Sequence, residues 1–234
     1  MTKKIIAVDL DGTLLNNESK LSDFTKETIK KISEKGHHVI ITTGRPYRMA
    51  KDFYRELELH TPMINFNGSL THLPGQAWEH ERCLTLDKKY LLDMVKRTED
   101  IQADFIAGEY RKKFYITTPN EEIADPKLFG VENFRPENQF KPERVTKDPN
   151  CILLQTRAED KYALADEMNR FYQHQLAINT WGGPLNILEC TPKGVNKAFA
   201  LEYLLNVMNR DKKDLIAFGD EHNDTEMLAF AGKG

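Results

Sequence analysis

Two carboxylates one residue apart, in Asp9-Leu10-Asp11-Gly12-Thr13, follow directly on the short apolar run Ile5 to Val8. Alternation along an extended chain sets residues i and i+2 on one side, so Asp9 and Asp11 would point together if the strand continues that far. Carboxylates so placed can hold a hard cation and divide nucleophilic from acid–base work. Gly12 lets the backbone turn sharply away. A second acidic stretch, Gly219-Asp220-Glu221-His222-Asn223-Asp224, follows the apolar run Leu215 to Phe218 in the same manner. Either stretch alone reads equally as a solvated turn. Together, at the carboxyl ends of two strands, they point to one oxygen-only cation site, which suits Mg2+ better than zinc.

Thr42-Thr43-Gly44-Arg45 closes another apolar run, Val39 to Thr42, and precedes a helix with Pro46 in its first turn. A hydroxyl, a glycine amide and a helix N-terminus make a cradle for phosphate, although Thr43 could equally be a plain helix cap. Lys193 and Lys197 flank the start of the helix that carries Leu201, and either can set a positive charge beside a phosphate. Asn67, at the end of the run Met63 to Phe66, is expected on the same sheet edge.

The elements that must position these residues follow from hydrophobic period. Continuous runs at Ile5–Val8, Val39–Thr42 and Met63–Phe66 alternate with helical segments, the pattern of a parallel sheet with crossovers. Ser22 is the expected cap of the first helix, with Phe24, Thr28, Ile29 and Ile32 on its buried face and Gly36 closing it. Beyond Asn67-Gly68 the pattern becomes α+β, with hairpins near Leu73-Pro74-Gly75 and Gly182-Gly183-Pro184 and a Pro- and charge-rich stretch over residues 119–149. The α/β pattern resumes near Thr191. The expected organisation is α/β: a doubly wound core over residues 1–82 and 190–234, interrupted by an inserted α+β domain over residues 83–189.

The chain has 234 residues, 40% hydrophobic and 29% charged, with a net charge of −3, so nothing global favours nucleic acid or an anionic membrane. No apolar run approaches the roughly 20 residues of a membrane-spanning helix, and a cytoplasmic location is expected. Cys83, Cys151 and Cys190 include no CxxC pair and are expected to be reduced thiols.

Taken in order, DLDGT, TTGR, the lysine of GVNKAFAL and GDEHND resemble the four motifs of the haloacid dehalogenase superfamily. The insertion resembles a class IIB-type cap, and PKGVNK leading into GDxxND resembles the Cof-like subfamily. The resemblance implies Mg2+-dependent hydrolysis of small phosphomonoesters, such as sugar phosphates, with FMN or pyridoxal phosphate as further candidates. It assigns Asp9 as nucleophile and Asp11 as acid–base. It gives Asp9, Asp11 (through its carbonyl) and Asp220 to the metal. Leu10 (amide), Thr43, Gly44, Lys197 and Asn223 would hold phosphate, and Asp224 would support its loop. Arg45 and Asn67 would lie near the substrate, and the cap would set specificity.

Relatives of this subfamily continue past the fourth motif with another strand and helix, so the C-terminal part of the core is expected to be missing. Phosphoryl transfer of the phosphomannomutase type and non-catalytic binding of a phospholigand remain as alternatives. A monomer or homodimer is expected.

Overall fold

The computed structural model describes residues 3–234. The first part of the chain forms β1 (Ile5–Val8), α1 (Asp23–Glu34), β2 (His38–Ile41), α2 (Tyr47–Glu56), β3 (Met63–Asn65), β4 (Leu70–His72) and β5 (Arg82–Cys83). Next come α3 (Lys88–Lys96), β6 (Ala103–Glu109), β7 (Phe114–Ile116), β8 (Cys151–Thr156), α4 (Lys161–Phe171), β9 (Leu176–Thr180) and β10 (Ile187–Pro192). The chain ends through α5 (Lys197–Val207), β11 (Leu215–Phe218) and α6 (Thr225–Phe230). Two compact units result, one of Met1–Cys83 with Val195–Gly234, the other of Leu84–Gly194. The second boundary lies at Gly194 because β10 pairs along its length with β8 and β9 and so belongs to the second unit.

In the first unit β1 is central, parallel to β11 on one side and β2 on the other, with Ile5 opposite both Leu215 and His38. All four residues of β1 are buried, as a strand covered on both faces must be. Its side chains alternate between two cores. Ile6 and Val8 pack with Ile29 of α1 and Ala50 and Tyr54 of α2, whereas Ile5 and Ala7 pack with Leu201, Leu204 and Leu205 of α5. A single parallel bridge, Thr42 to Ile64, ties on β3, which then pairs antiparallel with β4. The expected third parallel strand is thus only three residues long, because Phe66 and Asn67 both take positive φ and turn the chain at once. Lys233 bridges Ile216 on the outer side of β11.

Ser22 caps α1 by accepting from the Thr25 amide. Phe24, expected inside, is 80% exposed. It precedes the buried Ile29 by five residues, a rotation of about 500°, which turns it roughly 140° from the inward face. Ile29 is the residue of α1 that is fully buried, with Ile32 partly buried beside it.

The second unit is a five-stranded antiparallel sheet of order β7-β6-β8-β10-β9. One face packs Ile106, Ile152, Leu154 and Leu188 against Leu91 and Met94 of α3 and Leu164 and Met168 of α4. The stretch 119–149 holds three single turns, each led by a proline (Pro126, Pro136, Pro142). Phe129 from it stacks on Phe114 at 4.7 Å and packs edge-on to Phe105. Cys151 and Cys190 are buried free thiols, pushed above their ordinary range by desolvation, while Cys83 is exposed. Among the described residues no helix is long and apolar enough to cross a membrane.

The β9–β10 hairpin is held from within. The Lys161 ammonium, at the start of α4, donates to the carbonyls of Trp181 (2.9 Å), Gly183 (3.1 Å) and Leu185 (2.9 Å). Three carbonyls of one Gly-rich loop thereby share a single cation that is itself buried. Lys161→Met is expected to lose about 2–4 kcal/mol, since the loop carbonyls lose charged hydrogen bonds. A lower denaturant midpoint together with new proteolytic cleavage at residues 181–186 is the result to look for; an unchanged loop would contradict it.

Candidate active site

The site lies at the carboxyl ends of β1, β2 and β11, where side chains from successive loops of the parallel sheet meet. β1 hands the chain to a wide turn in which the Leu14 amide bonds the Asp9 carbonyl and the Leu15 amide bonds the Leu10 carbonyl. The strand ends at Val8, before either carboxylate. Asp9 is buried, whereas the Asp11 side chain is half exposed. Gly12 makes the turn possible for two reasons. Its φ is +73°, and a Cβ there would stand 2.1 Å from Oδ2 of Asp220. Thr13 then donates its hydroxyl to Oδ1 of Asp220 at 2.6 Å, locking the first loop to the loop after β11.

Lys197, the first residue of α5, is wholly buried. Its ammonium donates to Oδ1 of Asp9 and to Oδ1 of Asp224, both at 2.7 Å. Asn196 caps α5 by accepting from the Phe199 amide, which fixes where that lysine begins. Asp224 uses its other oxygen to accept from the Asp220 and Glu221 amides, each at 3.2 Å. A Cβ at Gly219 would lie 2.3 Å from Cγ of Asp224, so the loop can close this tightly only around glycine. Carboxylate oxygens of Asp9, Asp220 and Asp224 all lie within 4.8 Å of one another.

The TTGR turn forms the third side. The buried Thr43 accepts from the Arg45 amide at 3.1 Å, and its amide bonds the Ile64 carbonyl. Asn67 returns from β3, its amide bonding the Thr43 carbonyl, while its side-chain oxygen accepts from Nδ2 of Asn223 at 3.0 Å. Asn67 also packs against Gly44, where a Cβ would meet its amide oxygen at 3.1 Å. Arg45 grips the carboxylate of Asp11 with both ends of its guanidinium, Nε to Oδ2 at 2.7 Å and Nη2 to Oδ1 at 2.5 Å.

The site therefore brings Asp9, Lys197, Asp220 and Asp224 into one cluster and joins Asn67 to Asn223 beside Gly44. The Asp11 carboxylate stands apart from the three-aspartate group and is engaged by Arg45. Leu10 is buried at the head of the turn. Three contributors carry no distinctive sequence signal: Thr13, Asn65 and His72. The DGT motif displays Thr13, but nothing local tells that its partner is 207 residues away. Asn65 and His72 sit on short strands and read as ordinary polar strand residues.

Burial dominates the electrostatics of Asp9. Desolvation pushes its carboxyl from 3.8 up to about 6, opposed by the charge and hydrogen bond of Lys197 and reinforced by the Asp224 carboxylate.

A sequence pattern of the haloacid dehalogenase-like hydrolases matches residues 6–234. The chain belongs to that family. The hydrolase is 32% identical over 235 residues to the 5-amino-6-(5-phospho-D-ribitylamino)uracil phosphatase YitU of Bacillus subtilis (strain 168), covering 98% of this chain and 84% of that one. A second enzyme of the same organism, the 5-amino-6-(5-phospho-D-ribitylamino)uracil phosphatase YcsE, is 27% identical over 99% of this chain and 82% of its own. The fold is similar to the crystal structure of a haloacid dehalogenase-like hydrolase from Bacteroides thetaiotaomicron, with a TM-score of 0.80, 22% identity and coverage of 99% and 86%. The doubly wound core of this hydrolase is the family's.

The raised Asp9 carboxyl makes a testable claim about stability. Between its ordinary value of 3.8 and about 6 the folded, metal-free hydrolase holds a proton that the unfolded chain has released, so stability falls as pH rises through that window. Asparagine at position 9 carries no such cost, and the Lys197 ammonium keeps the Asp224 carboxylate as its partner. In chelator, Asp9→Asn is expected to raise the denaturant midpoint at neutral pH, and the gain should shrink as pH is lowered from about 6 to about 4. A gain independent of pH would contradict this electrostatic account.

Proposed function

We propose that this hydrolase cleaves small phosphomonoesters through an aspartyl phosphate on Asp9, with Mg2+ as its cofactor. The observation that carries the reading is the buried ammonium of Lys197, 2.7 Å from Asp9, which holds a carboxylate fixed at the end of β1. A nucleophile is effective when its lone pair is aimed in advance, and a buried ion pair on a rigid strand end aims it.

The donor set fits a hard divalent cation. Asp9, Asp220 and Asp224 offer carboxylate oxygens alone, which suits Mg2+. Asp9 and Asp220 would hold it, with the Asp11 carbonyl as the resemblance implies. Asp224 has both oxygens engaged, by Lys197 and by two amides, and acts as the brace of the loop. When bound, the cation neutralises charge between nucleophile and phosphate. Lys197 adds a positive charge supplied by the chain itself.

The remaining steps belong to the chain's own residues. An oxygen of the Asp9 carboxylate attacks phosphorus as the ester P–O bond breaks, and Asp11 gives a proton to the departing oxygen. Water then attacks the phosphorus of the aspartyl phosphate and passes a proton to the Asp11 carboxylate. The P–O bond to Asp9 breaks, and inorganic phosphate leaves. Thr43, Gly44 and Asn223 supply donors for the phosphoryl oxygens.

As to substrate, two relatives bear the name of a phosphatase of a phosphorylated ribitylamino pyrimidine. That name favours a polyol or sugar phosphate, with or without an attached ring, over phosphoproteins. The choice among such esters we assign to the unit of residues 84–194.

Phosphate release from a panel of sugar, polyol and flavin phosphates is the decisive measurement. Turnover should require Mg2+, vanish with chelator, and fall at least about 10³-fold in Asp9→Asn, as when a covalent nucleophile is removed. Full turnover in Asp9→Asn with chelator present would overturn the reading.

A further inference from the structure

Arg45 and Asp11 form a clamp beside the aspartate cluster. A carboxylate in a turn, half exposed, normally samples several rotamers. This one is held by two parallel N–H···O bonds, a fork that fixes both its direction and its plane. Each oxygen of a carboxyl group has two lone-pair directions, so the fork leaves a site on either for the proton that Asp11 must carry to the leaving oxygen.

Arg45 is itself held from behind. Its amide donates to the Thr43 hydroxyl, and its carbonyl accepts from Nδ2 of Asn65 at 2.9 Å and from the Phe66 amide. Asn65 is oriented in turn by Nε2 of His72 at 2.9 Å, and both side chains are fully buried. Tyr47 packs edge-on to the His72 ring at 4.9 Å. The guanidinium lies over Phe53 of α2, 5.5 Å from the ring centroid. A surface arginine needs none of these supports. A positioning residue needs all of them.

The clamp also sorts the carboxylates. Asp9, Asp220 and Asp224 share one cluster, and Asp11 lies outside that group with Arg45 on both of its oxygens. Left unclamped, a fourth carboxylate beside three others would compete for whatever positive charge the cluster attracts.

We infer that Arg45 is a positioning residue for proton transfer: it holds Asp11 ready for the leaving oxygen and keeps it out of the aspartate cluster. This rests on the reading of Asp11 as the acid–base group of a phosphomonoesterase.

The test compares two esters. An alkyl phosphate leaves as a strongly basic alkoxide and needs a proton during bond cleavage, whereas 4-nitrophenyl phosphate leaves as a stable phenolate and does not. The ratio kcat/KM reports only steps through P–O cleavage, so it isolates the protonation. Arg45→Ala should lose about 10²-fold in kcat/KM on the alkyl phosphate and less than about fivefold on the nitrophenyl ester, with its melting temperature close to that of the unaltered protein. Arg45→Lys should recover only part of the loss, because an ammonium cannot make the fork.

An equal loss on both esters, no loss on either, or complete rescue by lysine would overturn the inference. If Arg45→Ala proved too unstable to assay, Arg45→Gln, which keeps the side chain's stem and one N–H donor group, would be scored by the same ratio. Absence of turnover by the unaltered protein on either ester would instead count against the proposed function, which separates the two failures.

Discussion

A single buried ammonium governs how this core is put together. Lys197 has no exposed surface, and a charge taken out of water is tolerated only when paired and hydrogen-bonded. Its partners come from two other places in the chain: Asp9 at the end of β1, and Asp224 in the loop after β11. Three segments must therefore converge to within hydrogen-bond distance before the desolvation of any of the three charges is offset. The central place of β1 and the N-cap at Asn196 are the means by which that convergence is reached.

The two cations of the site illustrate different physics. Lys197 is a point charge in a dry place, shared between two carboxylates. Arg45 is a planar fork nearer to solvent, gripping one carboxylate through two nitrogens. Exchanging their positions would fail both ways. A guanidinium is too broad and too rigid to sit between Asp9 and Asp224, and an ammonium cannot fix the plane of Asp11.

Much of this was legible in the sequence, and for identifiable reasons. The strand–loop–helix rhythm at both ends of the chain announced the α/β core, and the order of DLDGT, TTGR and GDEHND announced which loops would matter. What escaped was set by partners far away along the chain. The turn that begins at Leu10 leaves Asp9 buried and Asp11 half exposed, a difference that strand alternation alone does not give. Apolarity alone puts Phe24 inside, but helical rotation relative to Ile29 sends it outward. Thr13, Asn65 and His72 gained meaning only when Asp220, Arg45 and Asn65, respectively, were brought beside them. Hydrophobic period fixes which face is buried. It says nothing about which polar side chain meets which.

The position of β1 between β2 and β11 has a consequence for how the chain acquires its shape as it is made. The strand that pairs with β1 on one side ends at Ile41, whereas its other neighbour begins at Leu215. As the chain emerges from the ribosome, β1 is left with one open edge while more than a hundred further residues, including the whole second unit, are synthesised. An unpaired strand edge is an invitation to mispairing and aggregation. Folding of the intervening unit into a compact body first would shorten the flexible loop that must close to bring β11 home, and so reduce the entropy lost on closure. The loop that must close to bring Lys197 and Asp224 to Asp9 therefore spans the whole second unit.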